Sequence, residues 1–359
     1  MAAAPAQSRR RARLALVAAG AAALAVPATG QATMAFQKPT GTGDRIYLAN
    51  DDGSGARVLA VRGTSAVISP DGTRLAYQPF RGSAGPGAVR ILTIADGTVL
   101  TTTQICRGLP VWSPDGTRLV CTTETSTAAG YITGEGLALV DAVTGARTTL
   151  IRAPRNQVDS VDWSPDGTRI AFSTGRFGST TSNVYIADPA DMAGRVLAVR
   201  DATGPVWGPA KIAVTRYTRR RVRIGGQPTT VIHSQIWTVN PTGGGARRLT
   251  TLPPGPFLVT GPFASGWTPD GASVIGSIGG DDYSVPITVN ATTGAVRRLG
   301  NGRVIAFPEA VSADGRTLLM NENFIEGDGR LRLVGIGGRQ GRVIVRGVST
   351  VSVTADWQP

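Results

Sequence analysis

The chain has 359 residues, 41% of them apolar and 17% charged, with 47 glycines, 23 prolines and a formal net charge of +13. That much apolar material suffices for a buried core and excludes a chain disordered by composition. A single histidine excludes histidine-rich metal centres.

Residues 1–32 read as a signal peptide. SRRRAR (8–13) is a positive n-region and LALVAAGAAALAV (14–26) is an apolar stretch too short to span a bilayer. PATGQA (27–32) then supplies small residues for cleavage near Ala28 or Ala32. General and twin-arginine export both remain open, because Arg13 interrupts the apolar residues that should follow the arginine pair. No later run is long enough to cross a membrane. Removing the leader takes away Arg9, Arg10, Arg11 and Arg13 and lowers the charge from +13 to +9, a surplus that attracts anionic polymers and envelope surfaces. The expected protein is exported, either extracellular or periplasmic and associated with the cell envelope.

After the leader come three strand-like runs, ATMAFQ (32–37), RIYLAN (45–50) and ARVLAV (56–61). A turn phrase then recurs. It reads VISPDGTRLAYQ (67–78), VWSPDGTRLVCTT (111–123) and VDWSPDGTRIAFST (161–174), wears down to VWGPAKIAVT (206–215), and returns as GWTPDGASVIGS (266–277) and AVSADGRTLLMN (310–321). ADWQP (355–359) is its last, shortened copy. Between Pro70, Pro114, Pro165, Pro209, Pro269, Ala313 and Pro359 the steps are 44, 51, 44, 60, 44 and 46 residues, each about one four-stranded blade long.

In S-P-D-G, proline fixes the first corner, aspartate accepts local backbone hydrogen bonds, and glycine takes the left-handed position that closes a bulged hairpin. Asp71, Asp115, Asp166, Asp270 and Asp314 are therefore structural turn residues, spread around a rim rather than gathered as a carboxylate ring. Before each turn stands a large residue, Trp112, Trp163, Trp207 or Trp267, whose repeated place indicates packing between blades. Trp357 holds the same place in the last copy, and only Trp237 escapes that pattern. After each turn a second hairpin opens with VRILTI (89–94), GLALV (136–140), NVYIA (183–187), QIWTV (235–239), VPITV (285–289) or RLRLV (330–334). Each unit is thus strand A, turn, strand B, loop, strand C, turn, strand D.

The N-terminal runs are strands B, C and D without an A, and VSVTADWQP (351–359) is an A without the rest. The predicted fold is all-β, one seven-bladed β-propeller over residues 33–359. Its four-stranded antiparallel blades form a ring closed by N-terminal strands B-C-D pairing with the C-terminal strand A.

The phrase WSPDGTRIAF, a strand like NVYIAD and an ending of the type G-x-x-R-R-L-T resemble the repeats of TolB-like propellers, which are related to the WD-repeat fold. The resemblance covers essentially all of the chain after the leader and implies a propeller working through protein or ligand contacts in the periplasm or at the cell surface. It departs from TolB itself, which has six blades and an additional N-terminal α/β domain, so no partner-binding residue carries over. Similar propellers precede the hydrolase domain of prolyl-oligopeptidase-like peptidases, a domain with no counterpart in this sequence.

Catalytic residues do not assemble from the sequence. His233 stands without a G-x-S-x-G elbow and reads as a polar residue on a protruding strand. GDDYS (280–284) and NENFIEGDG (321–329) offer oxygen ligands but match no recognised calcium-loop spacing, so neither metal nor cofactor is expected. Cys106 and Cys121 flank one turn, with Trp112 placed opposite Thr117 or Arg118. In an exported chain they read as a disulfide, against two reduced buried thiols.

The 60-residue unit carries TRRRVRIGGQPTTVI (218–232), in which Arg219, Arg221 and Arg223 alternate toward a GGQP turn while Arg216 and Arg220 add charge. Two readings stand: a solvated hairpin protected from edge pairing by charge, or a docking finger for an acidic protein or anionic envelope polymer. Nucleic acid is disfavoured, since only Tyr217 offers a base a ring. The favoured function is a non-enzymatic, monomeric interaction scaffold. The alternative is a small-ligand binder or a hydrolase- or lyase-type enzyme using the central channel.

Overall fold

Short apolar–polar alternations between glycine and proline turns favour strands, and the described residues contain no helix. The computed structural model describes residues 34–357 apart from 40–43, 51, 81–86, 128–130, 154, 180, 225, 254–258, 281–282, 300–304, 313, 325–326, 339–340 and 349–355. The expected leader, residues 1–32, lies outside the described residues, as do Ala313 and Pro359 of the repeat.

Hydrogen bonding links the described strands into five networks, antiparallel except at one short contact. In the first, β1 (Met34–Lys38), β2 (Arg45–Ala49), β3 (Arg57–Ile68), β4 (Arg74–Pro79), β5 (Arg90–Thr93) and β6 (Val99–Thr101) follow one another. Four-stranded sheets are then made by β7 (Val111–Trp112), β8 (Arg118–Ser126), β9 (Ile132–Asp141) and β10 (Arg147–Ile151), and by β11 (Asn156–Trp163), β12 (Ile170–Arg176), β13 (Asn183–Asp188) and β14 (Asp191–Val199). The fourth network holds β15 (Ala202–Trp207), β16 (Ile212–Ile224), β17 (Gln227–Val239), β18 (Arg247–Arg248), β19 (Val259–Trp267), β20 (Ser273–Gly280), β21 (Tyr283–Asn290) and β22 (Val296–Arg298). The fifth is β23 (Ile305–Val311), β24 (Thr317–Phe324), β25 (Gly327–Gly335) and β26 (Arg342–Val348), while β27 (Asp356–Trp357) joins the first network beside β1.

Five networks stand where seven separate sheets are predicted: three are single four-stranded sheets and two are larger, each containing a fusion, so the described residues do not show seven separate blades. RVLAVRGTSAVI runs as one strand through Gly63-Thr64-Ser65, where Ser65 takes φ +55° and the register against β4 shifts. Its first half pairs with β2 and its second half, from Gly63, with β4. The other fusion is the parallel contact of β17 with β19 at Ile232↔Val259 and His233↔Thr260.

The small sheets pack face to face in a propeller-like arrangement. Val67, Ala76 and Ile91 of the first network share a core with Trp112, Leu119 and Val140 of the second. Val120 and Leu137 pack in turn with Val158, Ile170 and Phe172 of the third. Ala171, Val184 and Ile186 then meet Trp207, Ile212 and Val214. Met34 and Phe36 share a cluster with Leu319, Leu331 and Val345 of the fifth network. Inner strands are buried at consecutive residues because both faces meet a neighbour, Ala76 of β4 packing on one side and Leu75 and Tyr77 on the other, so cohesion comes from burial between sheets.

Candidate functional site

The repeated turns close hairpins in successive sheets. Ser113 N–H donates to the Arg118 carbonyl at 2.8 Å, so six residues lie inside the turn and Trp112 pairs with Leu119, not with Thr117 or Arg118 as counted from the sequence. The aspartates are bonded within their own turns. Asp71, Asp115, Asp166 and Asp314 each accept the hydroxyl of the serine two residues before and the amide two residues after, and Asp270 accepts the Ala272 amide. The Ser164 hydroxyl, with the Thr168 amide and hydroxyl, holds the Asp166 pKa down to about 2.

Arginine at the end of S-P-D-G-T-R does something the sequence reading missed. Arg74 Nη2 donates to the Gly116 carbonyl of the next sheet at 2.7 Å, and Arg118 Nη2 donates to Gly167 at 2.9 Å. Their guanidinium carbons lie 5.2 Å and 4.7 Å from the rings of Trp112 and Trp163. Those indoles reach back, Trp112 Nε1 to the Val67 carbonyl and Trp163 Nε1 to the Val111 carbonyl, both at 3.2 Å. Gly116 has φ +68° and would place a Cβ 3.2 Å from Arg74 Nη2, so it serves both the turn and this contact. In the worn copy Lys211 replaces the arginine, and Trp267 lies instead against Gly208, where a Cβ would come within 2.6 Å of the ring. Its Nε1 still donates to Val206 at 3.0 Å.

Away from the turns lie the disulfide, part-way along β8, and the basic hairpin at the opposite end of its sheet. Cys106 and Cys121 are bonded, tying the strandless segment after β6 to β8. Next to the bond, Arg107 forms ion pairs with the exposed Glu124 and the buried Glu135. The two glutamates face each other across β8 and β9, and the guanidinium relieves their repulsion.

Strands β16 and β17 hold an unbroken register from Ile212↔Val239 to Ile224↔Gln227. The five arginines do not act alike. Arg216 lies over Trp237, 4.8 Å from the ring centre, and is half-buried. Arg219 lines a cleft, while Arg220, Arg221 and Arg223 are exposed and make no ion pair among the described residues. Neither strand contains an acid. The base is fixed by buried polar groups: Gln235 donates to the Leu252 carbonyl at 2.7 Å and accepts from the Thr250 hydroxyl at 2.6 Å. His233 Nε2, 2.8 Å from the Leu252 carbonyl, belongs to the same anchor.

The cleft, about 420 Å³, lies between the third and fourth networks and is lined by Gln157, Asp159, Ser182, Thr203, Tyr217 and Arg219 among others. Asp159 accepts from Gln157 Nε2 at 2.7 Å and from the Ser182 hydroxyl. Burial, and then the negative charge of Asp159, raise the Tyr217 pKa, while the positive charge of Arg219 opposes the rise. Since Tyr217 and Arg219 both face the cleft, Arg221 and Arg223 continue the same face toward the tip.

Among the described residues, no group of three or more histidine, cysteine, aspartate or glutamate side chains is placed to hold a metal ion. Residues 281–282 and 325–326 of the two acidic loops lie outside the described residues, and Glu322 is taken up by Arg330 and Arg332.

No family model and no curated protein matches the sequence. Among solved structures, TolB from Acinetobacter baumannii superposes with a TM-score of 0.53 at 17% identity, over 91% of this chain and 66% of that one. The fold is that of a TolB-like β-propeller. An acylaminoacyl peptidase in complex with Z-Gly-Gly-Phe-chloromethyl ketone superposes at 0.59 and 13% identity, over 87% of this propeller chain and 51% of the peptidase. A Mycobacterium tuberculosis puromycin-hydrolyzing peptidase does so at 0.59 and 14%, over 89% and 54%. The propeller chain thus spans just under two thirds of that TolB and about half of each peptidase. At these identities the likeness establishes architecture, and function has to be argued from the site.

Proposed function

We propose that the chain is an exported, non-enzymatic interaction module in which a signal peptide, residues 1–32, precedes a single propeller, residues 33–359. That propeller presents the β16–β17 hairpin to an anionic partner of the periplasm, envelope or extracellular space. One observation carries this reading: a long, regular hairpin projects three exposed arginines with no acid on either strand, anchored by buried polar groups at its base. Unneutralised charge on a rigid element accelerates and selects encounter with an opposite charge.

The test is affinity capture from envelope extract with the chain purified from the exported fraction, beside a variant whose residues 218–231 are replaced by a short Gly-Ser turn. A partner retained by the intact hairpin and lost by the variant is the expected result. Identical captures would reduce the hairpin to a charge-protected edge.

The finer architecture belongs to the same proposal, namely seven four-stranded blades in a ring closed across the chain ends. The pairing Met34↔Trp357 and Ala35↔Asp356, and the cluster joining Met34 and Phe36 to Leu319 and Leu331, support it. Deleting residues 351–359 should then cost on the order of 2 kcal/mol or more in chemical denaturation. Melting identical to the full chain would overturn the closure.

A further inference from the structure

We propose that the free edge of β16 receives an extended acidic peptide as an added strand, one whose acids fall at every second residue. This rests on the docking reading above and names the partner's chemistry and mode of binding.

The edge follows from the ladder. Strand β15 pairs with β16 only as far as Ala202↔Arg216, and the Tyr217 amide donates away from β17, to the Asp201 carbonyl at 3.2 Å. Backbone groups alternate along a strand, so the amides and carbonyls of Arg221 and Arg223 point to the same outer side, beyond the reach of β15. No strand of the described residues pairs with β16 there. Pro228 sits opposite Arg223, where its missing N–H costs the β16–β17 ladder nothing.

Charge selects what fills that edge. A second copy of the hairpin would bring arginine against arginine, which prevents self-association while leaving the edge open to acids. Arg221 and Arg223 share one face of β16 at a spacing of about 6.7 Å, two residues of strand rise, while Arg220 lies on the other face with the half-buried Arg216. A peptide with alternate acids places its carboxylates opposite Arg221 and Arg223 in the positions of cross-strand pairs, with its main chain completing the edge bonds. At the root of the hairpin, Asp159 across the cleft repels a further acid, so the acidic run ends there.

Fluorescent Glu-Thr-Glu-Thr-Glu-Thr is titrated into the full chain. The controls are Glu-Glu-Glu-Thr-Thr-Thr, the alternating peptide N-methylated at every second residue, and inorganic polyphosphate as competitor. The alternating peptide is expected to bind about tenfold more tightly than the block and methylated peptides, and to lose about tenfold in the Arg221→Ala/Arg223→Ala variant, since each exposed pair contributes modestly. Equal affinity for all three peptides, with displacement by polyphosphate, would overturn strand addition and leave docking by charge intact. Binding unchanged in the double variant would overturn the assignment to this edge, while capture in the hairpin-excision experiment tests the docking reading separately.

Discussion

Trp163→Ala should be the most damaging single substitution between sheets, with an expected cost of about 3–5 kcal/mol. Its indole is 4% exposed and packs with Val120, Leu137, Ile170 and Phe172, so truncation opens a cavity between the second and third networks. Two further contacts go with it, the hydrogen bond to the Val111 carbonyl and the face on which Arg118 rests. Urea or guanidinium unfolding of wild type, Trp163→Ala, Arg118→Ala and the double variant separates the terms. The cycle should return a coupling of about 0.5–2 kcal/mol for the stacked pair. A loss below about 1 kcal/mol for Trp163→Ala would mean that the sheets are held together by something else.

Breaking the disulfide is expected to cost about 3 kcal/mol. The bond closes a loop of sequence separation 15, and the chain-entropy estimate for such a loop is of that size. The local consequence should reach further than the bond. Between β6 and β7 the chain has no strand of its own, and Arg107 stands beside Cys106 against Glu135, which is 5% exposed. Releasing Cys106 lets Arg107 drift and leaves a buried carboxylate facing Glu124 without its counter-charge. Cys106→Ser/Cys121→Ser should therefore melt lower than wild type under oxidising conditions. Adding reductant should lower the wild type to the level of the variant and leave the variant unmoved. Equal melting of all four samples would show that the segment is held without the bond.

What the sequence made legible was local. The S-P-D-G turn writes its geometry in four adjacent residues, so the hairpins, their spacing and the long arginine hairpin could all be read along the chain. What it concealed depends on residues far apart. Arg74 looks like the polar first residue of a strand, yet its partner Gly116 lies 42 residues on, in the next sheet. Periodicity says which face Tyr217 and Arg219 occupy, but not that Asp159 faces them from another sheet. The miscount at Trp112 has a simpler cause: the turn encloses two residues more than the four-letter motif names. The fusion through β3 is concealed because Gly63-Thr64-Ser65 looks like a break between two strands, yet the chain runs on through it and only changes partner.

The two ends of the sheets are unequal partners in how such a chain can change. Contacts from arginine to glycine and from indole to carbonyl gather at the S-P-D-G end, each linking one sheet to its neighbour. At the other end the β16–β17 hairpin runs on past its last partner strand without disturbing any of them. Length is therefore a nearly independent variable there. Adding one residue pair to each strand would carry the tip about 6.7 Å outward and keep every side chain on its face. Adding a single residue to one strand would turn its outer arginines over. Evolution and design alike can adjust the reach of this hairpin in steps of two while the body of the fold stays as it is.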